Sequence, residues 1–188
     1  QYNYFMINQI DIKQLYAVDK EKIINHLIGL SSESRFNRFC AHFSDEAIKN
    51  YVEKIDFHHD GVFGVFNDNL DLIAFAHVPI SKKSAEIGIS VNDQYQGQKI
   101  GTVLLKRINL FAKAHDINEL YLYCVPENKK MMHLANKFNL TIKPYEDCGV
   151  INLEDKNLFD VIEDNILTST SELLHSQKMI LKSIFKMR

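Results

Sequence analysis

The chain has 188 residues, 46% of them hydrophobic and 11% aromatic, with seven glycines and three prolines. This excludes a disordered or fibrous protein and allows one domain with a sizeable core. The formal net charge of −2 and the pI near 6.5 argue against a general nucleic-acid binder.

The predicted elements run in chain order as follows. Tyr4 to Ile10 reads as a strand from its aromatic and β-branched content. Asp11 then caps an expected helix reaching about Leu30, with Leu15, Val18, Ile23, Ile24 and Leu27 on its apolar face. A second helix starts at Ser44 and places Ala47, Ile48, Tyr51, Val52 and Ile55 at helical spacing. Gly61–Phe66 and Leu72–Pro79 are strands joined by an Asn67-Asp68-Asn69 turn. Ala85–Val91 is a third strand, Gly101–Ala114 an amphipathic helix, Glu119–Val125 a strand and Asn128–Phe138 a short helix. Leu140–Tyr145 and Gly149–Leu153 form a closing hairpin. Strands joined by short turns are antiparallel, and the strand-helix-strand unit from Ala85 to Val125 is a parallel crossover. The expected fold class is therefore α/β (α+β), a mixed sheet with helices on both faces.

Residues 1–155 form the expected domain and 156–188 a helical extension. In that extension Ser169-Thr170-Ser171-Glu172 has the shape of a capping box. Leu173, Ile180, Ile184 and Met187 follow at helical spacing, beside a Lys178, Lys182, Lys186 stripe. The expectation is a helix packed on the core or on a second subunit, so that a homodimer through this helix is open; a membrane-surface helix needs more charge. The three cysteines, Cys40, Cys124 and Cys148, share no metal-ligand spacing, so no metal is expected. No apolar run reaches the roughly 20 residues of a membrane span and no signal peptide is read. A reducing, cytoplasmic setting is the expectation.

The chemistry concentrates between Gln94 and Leu105, QYQGQKIGTVLL. A strand, a polar glycine-bearing loop and a helix together make an anion site. The first helical amides have no internal partner, the helix dipole adds about half a positive charge, and glycine admits a close backbone approach. The spacing fits neither the P-loop nor the dinucleotide fingerprint.

Gln96-Gly97-Gln98-Lys99-Ile100-Gly101 resembles the Q/R-x-x-G-x-G/A pyrophosphate loop of the GNAT family of N-acetyltransferases. AEIGISVNDQYQGQKIGTVLL, from Ala85 to Leu105, resembles that family's fourth strand, loop and third helix. PENKKMMHLANKFNL, Pro126 to Leu140, is similar to its N-x-x-A-x-x-L-Y-x-K-x-G-F segment, and GLSSESRFNRF, Gly29 to Phe39, to the LSPESRYxRFF stretch of the protein-lysine branch. The resemblance covers about residues 4 to 155. It implies a mostly antiparallel sheet of about seven strands, splayed between the fourth and fifth, and acetyl-CoA as cosubstrate. Gln96, Gly97, Gln98, Lys99, Ile100, Gly101 and Thr102 would cradle the pyrophosphate. Ile89, Ser90 and Val91 would run beside the pantetheine, with the Val91 amide donating to the thioester carbonyl. Asn128 would stand near the pantetheine.

Three departures stand out. Lys99 occupies a position where glycine is usual, and Asn139-Leu140 replaces the terminal Gly-Phe. Ala135 takes the place of the tyrosine that often protonates the leaving thiolate. A thiol of pKa about 8.5 is a tolerable leaving group without it. The acceptor implied is a primary amine, a protein lysine or a small molecule, which must lose a proton before attack. Glu86, five residues before Val91, is the candidate base, and His77 on the preceding strand is the alternative, though amid AFAHVPI it also reads as a core residue. Arg35 and Arg38 would line the acceptor groove or pair with Glu33 and Asp45. His133 is a candidate replacement acid. Tyr121, Tyr123 and Cys124 read as packing residues, and His58-His59-Asp60 as a loop rather than a metal site. Lys99 and Ala135 also feed a rival reading, an acyl-CoA sensor or silent binding module.

Overall fold

The computed structural model describes residues 10–137, 141–143, 148–152, 168–177, 179–180 and 183. The elements are β1 (Ile12–Gln14), α1 (Lys20–Ile28), α2 (Ser32–Phe39), α3 (Asp45–Glu53), β2 (Gly61–Phe66), β3 (Leu72–Val78), β4 (Ile80–Ser81), β5 (Ser84–Val91), α4 (Ile100–Ala114), β6 (Glu119–Tyr123), α5 (Lys129–Lys137), β7 (Thr141–Lys143) and β8 (Cys148–Asn152). They build an eight-stranded sheet in the order β1-β2-β3-β5-β6-β8-β7, with β4 paired to β5. The pairs are antiparallel except β5–β6, which is parallel through the α4 crossover.

β2 and β3 are buried on both faces, which is why GVFGVF and LIAFAHV run without polar alternation. On one face Phe63, Ala74, Ala76 and Ile87 pack against Leu104, Leu105, Ile108 and Phe111 of α4. On the other, Val62, Leu72 and Phe75 pack against Ile23 and Leu27 of α1 and Ile48 and Val52 of α3. Phe75 is fully buried, and truncating such a ring to alanine costs about 3–5 kcal/mol. Gly64 is required by contact: a Cβ there would stand 2.5 Å from Leu72 Cδ1 and 2.9 Å from Leu15 Cδ1.

Parting of the two parallel strands creates the site. β5 pairs with β6 only through Ile87, opposite Leu122. It continues to Val91 against β3 alone. Asn92 donates its amide to Ile73 O. The alternation of an antiparallel ladder then turns the amides of Ser90 and Gly88 towards β3, and those of Val91 and Ile89 into the opening.

Three expectations need correction. Asp11 caps no helix: Ile12 and Gln14 pair with Val65 and Phe63 as a strand, and α1 begins only at Lys20. Val18, assigned to an apolar helix face, is 86% exposed. Pairing with the edge of β2 overrides the helical spacing here. Second, the segment between the first two expected helices is itself a helix, α2, which the resemblance had located without assigning its structure. Third, the helix over 168–177 is already running at Thr168, so Ser169–Glu172 is no capping box. Glu172 accepts from Tyr16 Oη at 2.6 Å and Ser171 Oγ donates to Asp11 Oδ1 at 2.7 Å. Burial first, and then Glu172, pushes the Tyr16 hydroxyl pKa up to about 12. Ser171 and His175 face the body of the protein, whereas Leu173 and Ile180 are 60% and 58% exposed. The expected strand over 4–10 (Ile10 apart), the Asn139-Leu140 turn and the Lys178, Lys182 and Lys186 stripe lie outside the described residues. No described helix is long and apolar enough to cross a membrane.

Candidate active site

The loop from Asn92 to Lys99 closes one end of a groove of about 790 Å³. Its backbone is held open by two left-handed residues, Gly97 (φ 78°) and Lys99 (φ 66°). For glycine that conformation is free; for lysine it costs about 1 kcal/mol or more. Lys99 N-caps α4, and the first intrahelical bond of this turn runs from Val103 N to Lys99 O at 3.1 Å. The amides of Ile100, Gly101 and Thr102 therefore precede it with no helical acceptor, and the positive end of a 15-residue helix backs them. A Cβ at Gly101 would meet only Leu134 Cδ2 at 3.7 Å.

The loop is tied to its neighbours by two polar residues. Asp93 accepts from Ser31 N and Oγ at 3.1 and 2.8 Å and from Ser34 Oγ at 2.6 Å. Burial, the largest single influence, raises its pKa, but these hydrogen bonds together outweigh it and hold the carboxyl below its ordinary value. Ser31 also caps α2, accepting from Ser34 N. Gln96 donates to Ser34 Oγ at 3.1 Å and to Val91 O at 3.0 Å, and accepts from Lys130 Nζ at 2.5 Å. It thus joins the loop to α2, β5 and α5, and its bond to Val91 O puts that carbonyl on the side of the opening. Asn128 Oδ1 accepts from Met131 N at 3.0 Å, fixing the start of α5 on the far wall.

Of the residues predicted for cofactor binding, Ile89, Ser90, Val91, Gln96, Gly97, Lys99, Ile100, Gly101, Thr102 and Asn128 line this one groove. Gln98 lies in the same loop, donating to Gln94 O at 3.5 Å. Ser90 lines the groove but is 6% exposed, and its hydroxyl is committed elsewhere. His26 Nδ1 donates to Leu72 O at 3.0 Å, so its Nε2 accepts from Ser90 Oγ at 2.9 Å. Burial lowers the His26 pKa to about 4, keeping the ring neutral.

A second cavity of about 470 Å³ lies on the α1–α3 face and is lined by Arg38, Tyr51, His77, Glu86, Gly88 and Tyr123 among others. Arg38 lines both cavities and so stands where they meet. Glu86 is exposed to this cavity. Arg38 Nη2 donates to Tyr51 Oη at 2.7 Å, Tyr51 Oη lies 2.7 Å from His77 Nδ1, and His77 Nε2 lies 2.9 Å from Asp60 Oδ2. A guanidinium only donates and a carboxylate only accepts. The tyrosine proton therefore points at Nδ1, and the histidine proton sits on Nε2. Burial lowers the His77 pKa, against the pull of Asp60, so the ring is neutral. Burial raises that of Tyr51.

Arg35 does not join the cavity. It donates to Ile28 O at 2.6 Å, Phe43 O at 3.3 Å and Asp45 Oδ1 at 2.7 Å, so it is a strut between α1, α2 and α3. Three residues apart, Arg35 and Arg38 lie on neighbouring parts of one helix face; what separates them is that Arg35's donors are taken by Ile28 O, Phe43 O and Asp45. Ala135 is fully buried in the α4-side core, and His133 lines the first groove. Cys124 is buried, with Met132 Sδ 3.7 Å from its thiol. His59 pairs with Asp56, and among the described residues no cluster of three His, Cys, Asp or Glu could hold a metal ion. Tyr51 and Asp60 were missed from the sequence: one sat in an apolar helix pattern, the other in a loop. The only signal was a lone histidine, His77, on a buried strand that needed polar partners.

Residues 28–140, more than half of the chain, match the family model described as acetyltransferase (GNAT) family. Among solved structures, the GNAT domain of PAT from S. lividans is similar at 21% identity and a TM-score of 0.65, covering 76% of this chain and 89% of that one. The PaiA N-acetyltransferase from Thermoplasma acidophilum, in complex with coenzyme A, is similar at 21% identity and a TM-score of 0.57, covering 77% and 99%. The ribosomal-protein-S18-alanine N-acetyltransferase from Escherichia coli is similar at 16% and 0.57, covering 78% and 94%.

Proposed function

Because the chain belongs to the acetyltransferase (GNAT) family, and is thus an acyltransferase that uses acetyl-CoA and an amine acceptor, we propose that it acetylates a primary amine, a protein lysine or a small molecule, in the second cavity with Glu86 as base. The observation that carries this reading is the junction. The groove whose loop and helix amides suit a pyrophosphate meets, at Arg38, a cavity that holds a carboxylate. The free amides of Ile100, Gly101 and Thr102, the open backbone at Gly97 and the volume of the groove fit coenzyme A.

When bound, acetyl-CoA supplies an acyl carbonyl activated as a thioester. The chain does the rest. A lysine-type ammonium of pKa about 10.4 is almost wholly protonated at neutral pH, and Glu86 accepts the proton it must shed. The Val91 amide, aimed into the opening, donates to an oxygen on which negative charge grows, and Gln96 on Val91 O fixes the next peptide of the strand. Ala135 puts no hydroxyl into the groove, so the thiolate is released without the tyrosine common in this family.

The test pairs binding with turnover. Calorimetry should find acetyl-CoA bound by the native chain and not by Gly101→Glu, whose carboxylate repels phosphate. Thiol release with an amine panel should then fall at least 100-fold in Glu86→Gln with acetyl-CoA affinity kept. Equal binding by native and Gly101→Glu would move the cofactor site. Undiminished turnover in Glu86→Gln would remove Glu86 as base.

A further inference from the structure

Among the described residues, Arg38 is a cation without a counter-charge. Its side chain is only partly exposed, and among the described residues no carboxylate lies within the 4.0 Å of an ion pair. Its Nε is buried and has no partner among the described residues. Yet its seat is built with care. The guanidinium lies on the Gly88 backbone, where a Cβ would stand 2.2 Å from Nη2 and 2.3 Å from Cζ. It packs over the rings of Phe39 and Tyr51, 4.8 and 5.5 Å from their centroids. Tyr51 accepts from Nη2 and is itself held by His77, which is held by Asp60, whose other oxygen accepts from Ile80 N at 3.1 Å. Asp60, the carboxylate that ends this relay, is two side chains away from Arg38. The relay orients the guanidinium without neutralising it. Withdrawing a charge from water without a partner is costly, and a fold that fixes it so firmly leaves the counter-charge to something that arrives.

The rest of the cavity says what arrives. Its walls include Phe39, Phe43, Tyr51, Pro79, Ile87 and Tyr123, and its other charge is Glu86. A carboxylate and a guanidinium on one apolar-walled cavity match an ammonium and a carboxylate on one molecule. Resting on the acetyl-transfer reading, we propose that the acceptor is a primary amine that carries a carboxylate, its amine at Glu86 and its carboxylate on the free Nη1 edge of Arg38. The Asp60–His77–Tyr51 relay and Gly88 position Arg38 for it. The same chemistry is offered by a free amino acid and by a peptide lysine beside an acidic residue.

Matched acceptors separate these sources. One arm compares α-amino acids with their carboxamides; the other compares lysine peptides carrying Glu or Gln next to the lysine. Each is measured by thiol release at saturating acetyl-CoA, and by competition binding to the CoA-loaded protein, which needs no turnover. The native chain should prefer the carboxylate member by about tenfold or more in one arm, and that arm names the source. Arg38→Gln should bring the ratio near one, Arg38→Lys should restore part of it, and Gly88→Ala, which displaces the guanidinium while leaving it in the chain, should lower it as Arg38→Gln does. Thermal unfolding checks that each variant is folded. A native ratio near one in both arms, or a ratio that survives Arg38→Gln, overturns the proposal and leaves acetyl transfer standing. Failure to release thiol with any amine, carboxylate-bearing or not, would instead overturn the transfer reading and this one with it.

Discussion

His26 sits beneath β5, buried between Leu72 O and the Ser90 hydroxyl. Its Nδ1 must donate to the carbonyl, so only a neutral ring can accept from Ser90. Acidification is the perturbation. Burial lowers the pKa from 6.5 to about 4, a gap of about 2.5 units. At about 1.36 kcal/mol per unit the whole effect is about 3 kcal/mol, and about 2 kcal/mol of it is gone by pH 5. The folded-state pKa lies below the ordinary one. The contribution is therefore complete above pH 6.5 and is lost as the pH falls towards 4. The assay is urea unfolding of the native chain and of His26→Gln at pH 7, 6 and 5. The variant lacks the titrating ring while the other ionisable groups are shared, so the native-minus-variant stability should drop by about 2 kcal/mol between pH 7 and 5. A difference flat to within 0.5 kcal/mol (roughly the error of such fits) would refute the neutral buried ring.

Other outcomes follow from the same geometry. Lys99→Gly relieves a left-handed lysine and should raise stability by about 0.5 kcal/mol, the relief of about 1–2 kcal/mol being partly offset by the freer unfolded chain, read as a small rise in Tm. Gly64→Ala pushes a methyl into Leu72 and Leu15 and should cost about 1–3 kcal/mol in chemical denaturation. Arg35→Ala removes the strut to Ile28 O, Phe43 O and Asp45. It should lower stability by about 1–3 kcal/mol while the carboxylate preference tied to Arg38 is kept; loss of that preference would return Arg35 to the acceptor site.

Much of the first groove was legible because its residues are local. The polar loop, its glycines and the helix after it are contiguous, and the amides that face the groove belong to the backbone of one stretch, residues 89–102. Even there, the left-handed Lys99 could be named as a departure but not as a conformation. Of the residues expected at the acceptor, the structure gathers three in the second cavity and leaves one outside it. Arg38, His77 and Glu86 came from the sequence, but Arg35 came with them, since only the partners that tertiary packing supplies separate two arginines three residues apart.

The sequence by itself determined the strands β2, β3, β5 and β6, the helix between β5 and β6 and the loop that opens it, since apolar run length, turn residues and helical period are properties of neighbouring residues. It also carried the resemblance that named the cosubstrate. The tertiary structure alone decided that 12–14 pairs as a strand, that the helix over 168–177 turns Ser171 and His175 inward and leaves Leu173 outside, and that Tyr51 and Asp60 join His77 behind Arg38. Each of these depends on side chains or edges that meet from distant parts of the chain, and a hydrogen bond between them leaves no period or spacing for the sequence to record.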